Sequence, residues 1–189
     1  MLNRTLTESV HLRPLHSGHA DAFRAHLDRD RQRLETWIPE IADVVSADDV
    51  RAWLGDRAGR GDDDTAMAGM WAGDECVGAA VYYVWEPEVR TVEVGAWLEE
   101  RFEGGGIAFA ATCALIEHAF FEFGMHRAEF LIDPANERAA TTLGRIGARC
   151  EGHLRQSVWI RGEPRDQQLW ALLAPEWCSG GAGASGSGR

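Results

Sequence analysis

The sequence predicts an α/β fold in which a mixed central sheet carries helices on both faces. Three observations lead there. Extended and helical periodicities follow one another as strand, helices, strands, helix, strand, helix, strands, and layering helices over a sheet buries the apolar faces of such a mixture. The stretch Thr91-Val-Glu-Val-Gly-Ala-Trp-Leu98 alternates, with Val92, Val94, Ala96 and Leu98 on one side, and then passes through Gly104-Gly105-Gly106 into an apolar run ending at Phe123. The chain has 189 residues, 45% of them hydrophobic and eight of them Trp, which is ample for the core of one domain and for a lined pocket. That domain is expected over residues 10–177, after an N-terminal extension at 1–9. A Gly/Ser/Ala-rich tail at 178–189 has nothing to bury and is expected to be disordered.

The elements follow in order. Val10-His-Leu-Arg-Pro-Leu15 alternates as a short first strand ended by Pro14. A helix is expected over 17–31, with Ala20, Phe23 and Leu27 at helical spacing, and 33–39 breaks that pattern. Ser46 followed by Asp48 and Asp49 is a capped start for a second helix through Trp53 and Leu54. Residues 59–64, ending in three aspartates, read as a solvated connection. Two strands at 65–71 and 76–84, joined by Ala72-Gly-Asp-Glu75, form a hairpin, with 85–90 as the loop before the strand at 91–98. After the glycine turn, Phe109, Cys113, Ile116, Phe120 and Phe123 make an apolar helical stripe, and Gly124 is placed to end it. A strand at 127–132 leads to Asp133-Pro134, which reads as a cap with proline at the first helical position, and the helix runs to Gly147. A last hairpin pairs 149–160 with 167–173 around Arg161-Gly-Glu-Pro-Arg165.

Composition narrows the function classes. The formal charge of −11 argues against a nucleic-acid surface, where positive charge supplies much of the affinity. It is compatible with a basic peptide, a protein terminus or an amine as partner, and equally with a merely soluble acidic surface. No apolar run reaches membrane-spanning length and the N-terminus lacks a signal peptide's apolar core, so a cytoplasmic location and no membrane partner are expected. Cys76, Cys113, Cys150 and Cys178 have no paired metal spacing and read as buried or incidental thiols; no bound metal is expected.

A strand, a glycine turn and a helix together aim unpaired backbone N–H groups at one point, which is an anion site or simply a flexible turn. Glu93 points away from the face that Val92 and Val94 share, as a general base, a solvent-facing carboxylate, or a partner for Arg90 or Arg127. His126 reads as part of a turn, His153 as a remote candidate for the substrate mouth, and His118 as a local contact within its helix.

At this point the chain resembles the GNAT family of N-acetyltransferases, especially the group that acetylates ribosomal-protein N-terminal alanine or serine. The resemblance rests on His11-Leu-Arg-Pro-Leu15, Leu34-Glu-Thr-Trp-Ile-Pro39, Glu93-Val-Gly-Ala-Trp-Leu98 and Gly104-Gly-Gly-Ile-Ala108. It continues through Phe123-Gly-Met-His-Arg127, Asp133-Pro-Ala-Asn136 and Leu172-Leu-Ala-Pro-Glu-Trp177. It implies acetyl-CoA as donor, an amine as acceptor and direct attack without an acyl-enzyme. It also implies a pair of central strands that splay apart to admit the pantetheine arm.

The resemblance assigns the thioester and pantetheine to the strand carrying Ala96, Trp97 and Leu98, and the pyrophosphate to Glu103, Gly104, Gly105, Gly106, Ile107 and Ala108. Glu103 stands where the family has glutamine or arginine, so its carboxylate is expected to point outward or pair with Arg101. Asn136 serves either the pantetheine or a helix cap, and Arg138 and Arg145 are candidates for coenzyme A phosphates. Ala139 stands where relatives often carry a serine that protonates the thiolate; either water, Thr141 or Thr142 substitutes, or the thiolate leaves unprotonated. Trp37 is expected in a loop beside the acceptor cleft, either stacking on the acceptor or packing on Trp53, with Trp71, Tyr82, Tyr83 and Trp85 as further aromatic candidates. Glu35 and Asp166 are candidates for attracting an ammonium.

The leading expectation is acetylation of a protein N-terminal α-amino group. A small amine such as an antibiotic or aminoacyl-nucleotide, a succinyl or longer acyl donor, and a non-catalytic acyl-CoA-binding protein are the alternatives. The resemblance implies a monomer or a homodimer.

Overall fold

The computed structural model describes residues 2–55 and 67–177. The expected connection at 59–64 and the expected tail at 178–189 lie outside the described residues. The strands are β1 (Arg4–Thr5), β2 (Val10–Pro14), β3 (Met67–Ala72), β4 (Glu75–Glu86), β5 (Thr91–Leu98), β6 (Arg127–Ile132), β7 (Arg149–Ile160) and β8 (Glu163–Leu173). They form one eight-stranded sheet in the order β1-β2-β3-β4-β5-β6-β8-β7. Its neighbours are antiparallel except β5 and β6, which run parallel. The mixed sheet expected from the pattern is therefore present.

Among the described residues four α-helices cover it: α1 (Ala20–Trp37), α2 (Ala47–Gly55), α3 (Ile107–Glu117) and α4 (Glu137–Ile146). Period-two alternation divides the strand side chains between two cores. Cys76, Ala79, Val81 and Trp97 join Phe23, Leu27, Leu34 and Val50 beneath α1 and α2. Val77, Ala80, Val92, Val94 and Leu98 join Ala111, Leu115, Leu143 and Ile146 beneath α3 and α4. Cys76 and Cys113 are buried free thiols, which burial pushes up to about 12 and about 11, while Cys150 is exposed.

Several local expectations change. α1 does not stop near Arg31 but continues to Trp37, because buried Leu34 extends the apolar face of Phe23 and Leu27; Pro39 follows its end. Asp30 is the one residue within it with non-helical dihedrals, and its carboxylate accepts the Glu100 N–H and the Arg33 Nε–H. Asp133-Pro134 is a turn rather than a helix cap: Asp133 Oδ1 accepts the Ala135 N–H, and α4 is capped by Asn136. The loop of the last hairpin shrinks to Arg161-Gly162, at φ of 53° and 78°, with β8 already paired at Glu163. β4 runs to Glu86, two residues beyond the expected end at Val84. α3 is buried over six consecutive residues from Ala111 to Ile116 rather than along one stripe, and passes into a wider turn at His118–Glu122.

Other local readings stand. Ser46 Oγ accepts the Asp49 N–H while the Asp49 carboxylate accepts the Ser46 N–H, a reciprocal cap at the start of α2. Gly124, at φ 65°, and Gly147, at φ 99°, terminate the two helices on the other face. Ahead of β2, the short β1 adds an edge strand and Leu2 is buried in the core.

Candidate functional site

β5 and β6 pair only at Thr91–Arg127, Val92–Ala128 and Glu93–Glu129. Past Glu93 the two strands separate, each held by its other neighbour: β4 pairs β5 as far as Leu98, and β8 pairs β6 as far as Ile132. A break of register in β4 between Tyr82 and Val84 sits opposite this fork and adds local bending. The separated strands form one wall of a cleft of about 1230 Å³. The glycine turn and α3, the start of α4, the end of α1 and the β7–β8 hairpin complete it.

The turn at the cleft's base is shaped for an anion. Gly104 and Gly106 take φ of 86° and 74°, a region where other L-residues are strained. Gly106 directly precedes α3, and no side chain caps the first turn, so its N–H groups face the cleft end without a side-chain partner. A Cβ added at Gly104, Gly105 or Gly106 would meet nothing within 4 Å, so backbone conformation rather than crowding calls for glycine at the two positive-φ positions.

Glu103 departs from expectation. Arg101 is engaged by Glu99 and Glu75, and Glu103 instead joins Arg33 on α1, at 2.9 Å, and Arg138 on α4. Arg145 lies over the Phe109 ring at 4.8 Å. Asn136 accepts the Ala139 N–H at 3.1 Å and so caps α4 while lining the cleft. Ala139 lines it as well, and the Thr141 and Thr142 hydroxyls donate back to the Glu137 and Arg138 carbonyls.

Glu93 lines the cleft where β5 and β6 part. Burial, then the charges of Glu129 and Glu40, push its carboxyl up to about 7. The alternative pairing with Arg127 is not made, since that guanidinium holds Glu129 at 2.6 Å and also Glu151. Below the fork, buried His26 bonds Glu99 at 2.9 Å through Nδ1 and accepts the Trp97 indole N–H at Nε2, fastening α1 to the end of β5. Burial outweighs the Glu99 contact and lowers the His26 pKa. Burial alone would raise Glu99, but hydrogen bonds from His26, Arg29 and Arg101 bring it down to about 2.

Of the candidates read from sequence, Glu93, Ala96, Trp97, Leu98, Glu103, Gly104, Gly106, Ile107, Ala108, Asn136, Arg138 and Arg145 all border this cleft, as do Trp37, Tyr83 and Asp166. Gly105, Glu35, Trp85 and the buried Trp71 and Tyr82 do not. Trp85 packs between Tyr82 and Phe123, at ring distances of 5.1 and 4.9 Å, because the register break between Tyr82 and Val84 sets it opposite Val92, on the α3 side of the sheet. Glu35 is taken up by Arg161 at 3.0 Å. Trp37 ends α1 instead of lying in a loop and is 37% exposed, whereas Trp53 stacks on Phe23 at 5.7 Å. The Tyr83 ring covers Gly95, where an added Cβ would come within 2.4 Å of it. Asp166 accepts from His153 Nε2 and from the Gln156 N–H, both at 2.8 Å, and the His153 bond is the main cause of its lowered pKa.

Sequence reading missed Arg33, Glu40, Phe130 and Ile160 on the cleft wall. No local pattern distinguishes Arg33 from the other arginines of α1; its partners Leu98 and Glu103 are far along the chain. Among the described residues no cluster of three metal-ligating side chains occurs, and no helix is long and apolar enough to cross a membrane.

Comparison with known proteins agrees with this geometry. Residues 9–149 match the family model described as an acetyltransferase (GNAT) domain. The chain is 27% identical over 182 residues to the putative ribosomal N-acetyltransferase YdaF of Bacillus subtilis (strain 168), covering 94% of this chain and 98% of that one. The structure of Mycobacterium smegmatis RimJ in complex with CoA-disulfide superposes with a TM-score of 0.77 at 28% identity, covering 88% of this chain and 83% of that one. The microcin C7 self-immunity acetyltransferase MccE, solved with acetyl-CoA and AMP, gives a TM-score of 0.80 over 89% of this chain and 94% of that one; its 18% identity shows the common fold alone.

Proposed function

The chain belongs to the acetyltransferase (GNAT) family and is an acetyl-CoA-dependent enzyme acting on an amine, and on that premise we propose that it acetylates the α-amino group of a protein N-terminus, with Glu93 as general base. The observation that carries the base assignment is a carboxyl raised to about 7 inside the cleft, where the strands part. Acetyl-CoA supplies the acetyl group as a thioester. The glycine turn and the first turn of α3 suit its phosphates, and the facing edges of β5 and β6 suit the pantetheine arm, whose amides would satisfy backbone groups that the sheet does not pair there.

The roles of the chain's own groups follow from general chemistry. Glu93, once ionised near neutral pH, takes a proton from the acceptor ammonium, directly or through one water. Backbone N–H groups on the open edge of β5 polarise the carbonyl oxygen that the amine attacks. Attack is direct, within a ternary complex: the carbon–nitrogen bond forms, the thioester carbon–sulfur bond breaks, and the proton lost by the nitrogen passes through water to the departing thiolate. The choice of a protein N-terminus is supported by the likeness to YdaF, a putative ribosomal N-acetyltransferase, and by the acidic and aromatic rim of Glu40, Trp37, Tyr83 and Asp166.

Glu93→Gln should lower turnover by about 10²- to 10⁴-fold while leaving acetyl-CoA binding unchanged, measured by thiol release and by calorimetry. Unchanged turnover would remove Glu93 as base. With ribosomal-protein N-terminal peptides against a panel of small amines, the peptides should show the higher kcat/KM and mass spectrometry should place the acetyl group on the α-amine. Preference for a small amine, or modification confined to lysine side chains, would overturn the acceptor assignment.

A further inference from the structure

We propose that Glu103 is an internal competitor for the phosphates of coenzyme A, holding Arg33 and Arg138 in the place where the cofactor's pyrophosphate binds. The inference rests on acetyl-CoA as donor and is independent of the acceptor. Two arginines from opposite sides of the sheet converge on this one carboxylate: Arg33 from α1, at 2.9 Å, and Arg138 from α4. All three line the same cleft as Gly104, Gly106 and the first residues of α3.

The two arginines differ in their freedom. Arg33 is anchored apart from Glu103, its Nε and Nη2 donating to the Asp30 carboxylate and Nη2 also to the Leu98 carbonyl, and its side chain is 29% exposed. Its Nη1 is the group that reaches Glu103. The Arg138 side chain is 70% exposed and able to swing. A guanidinium pair beside a glycine turn and an uncapped helix start is anion-binding chemistry, and a carboxylate held among those groups has the sign of the ligand.

A pyrophosphate and the Glu103 carboxylate cannot share these donors without like-charge repulsion. Glu103 must rotate from between the arginines as phosphate enters, so that Arg33 Nη1 and Arg138 exchange a carboxylate partner for a phosphate one. Glu103 therefore orders the two arginines for an anion and at the same time lowers net affinity. Pantetheine, which carries no phosphate, has no part in this exchange.

The experiment is calorimetric titration of coenzyme A and of pantetheine into the wild-type protein, Glu103→Gln, Arg138→Gln and the double variant. Glu103→Gln should bind coenzyme A about tenfold more tightly, and Arg138→Gln about tenfold more weakly, because each changes one charge next to the phosphates. Pantetheine affinity should stay level, and the gain from Glu103→Gln should shrink in the double variant. Weaker or unchanged coenzyme A binding by Glu103→Gln would overturn the proposal, as would equal tightening toward pantetheine. The wild-type titration checks the donor separately, and Arg138→Gln, changing a largely exposed side chain, keeps the test decisive if Glu103→Gln folds poorly.

Discussion

Glu93 and Glu129 stand side by side across the last paired step of β5 and β6, and this proximity, added to burial and to Glu40, gives the site a carboxyl near 7. A base of that kind works in its ionised form, so kcat/KM should rise with pH through about 7. Glu129→Gln removes one of the charges opposing ionisation, and the rising limb should move to lower pH with the same acceptor; an unmoved limb would detach the profile from Glu93. The same shift has a stability consequence. The ordinary value is 4.5 and the folded value is higher, so the stabilisation is complete below the unfolded pKa and is lost as pH rises through about 7. Glu93→Gln should accordingly raise Tm more at pH 8 than at pH 5, checked by thermal unfolding at both. Glu93's position on the strand was legible from alternation, but its neighbour was not. Glu129 is distant in the chain, and only parallel pairing brings the two together.

At the scale of elements, the bend in β4 and the bare backbone of Gly95 act together. The register break at Tyr83 and the absence of a Cβ at Gly95 let the phenol ring lie across β5 into the cleft. Gly95→Ala would put a Cβ at 2.4 Å from that ring, and since a side chain can yield, the ring should move while the strand holds. With the acceptor wall displaced, kcat/KM for the acceptor should fall by about 10- to 100-fold, with the far-ultraviolet circular dichroism unchanged. An unaltered acceptor kcat/KM would mean that Tyr83 has no part in that wall. Helix ends show the same division between local and distant causes. The Ser46–Asp49 cap and the glycines at 124 and 147 were readable because each effect operates within a few residues. The continuation of α1 to Trp37 was not, because Leu34 finds its place only against the sheet and Asp30 takes partners from the loop after β5.

Across the whole molecule, the sheet is divided at its centre by its own pairing. β5 and β6 are each secured on the outer side, and together at one end, so the opening between them is built into the fold. Acetyl-CoA lying in that opening would pair the facing amides, so hydrogen exchange should slow on β5 beyond Glu93 and on β6 beyond Glu129. Residues 91–93 and 127–129, already paired to each other, should change little. Equal protection along both strands would argue against the pantetheine lying there. Period-two and helical patterns, the glycine turn and the order of elements were determined by the sequence itself, since steric and hydrophobic rules act there on neighbours within a turn or a strand. The tertiary structure alone decided that Arg33 and Arg138 close on Glu103, that Trp85 turns into the core while Tyr83 turns into the cleft, and that two carboxylates meet at the fork. Charge and burial depend on distances in space, and residues far apart in the chain acquire those distances only when the sheet and its helices assemble.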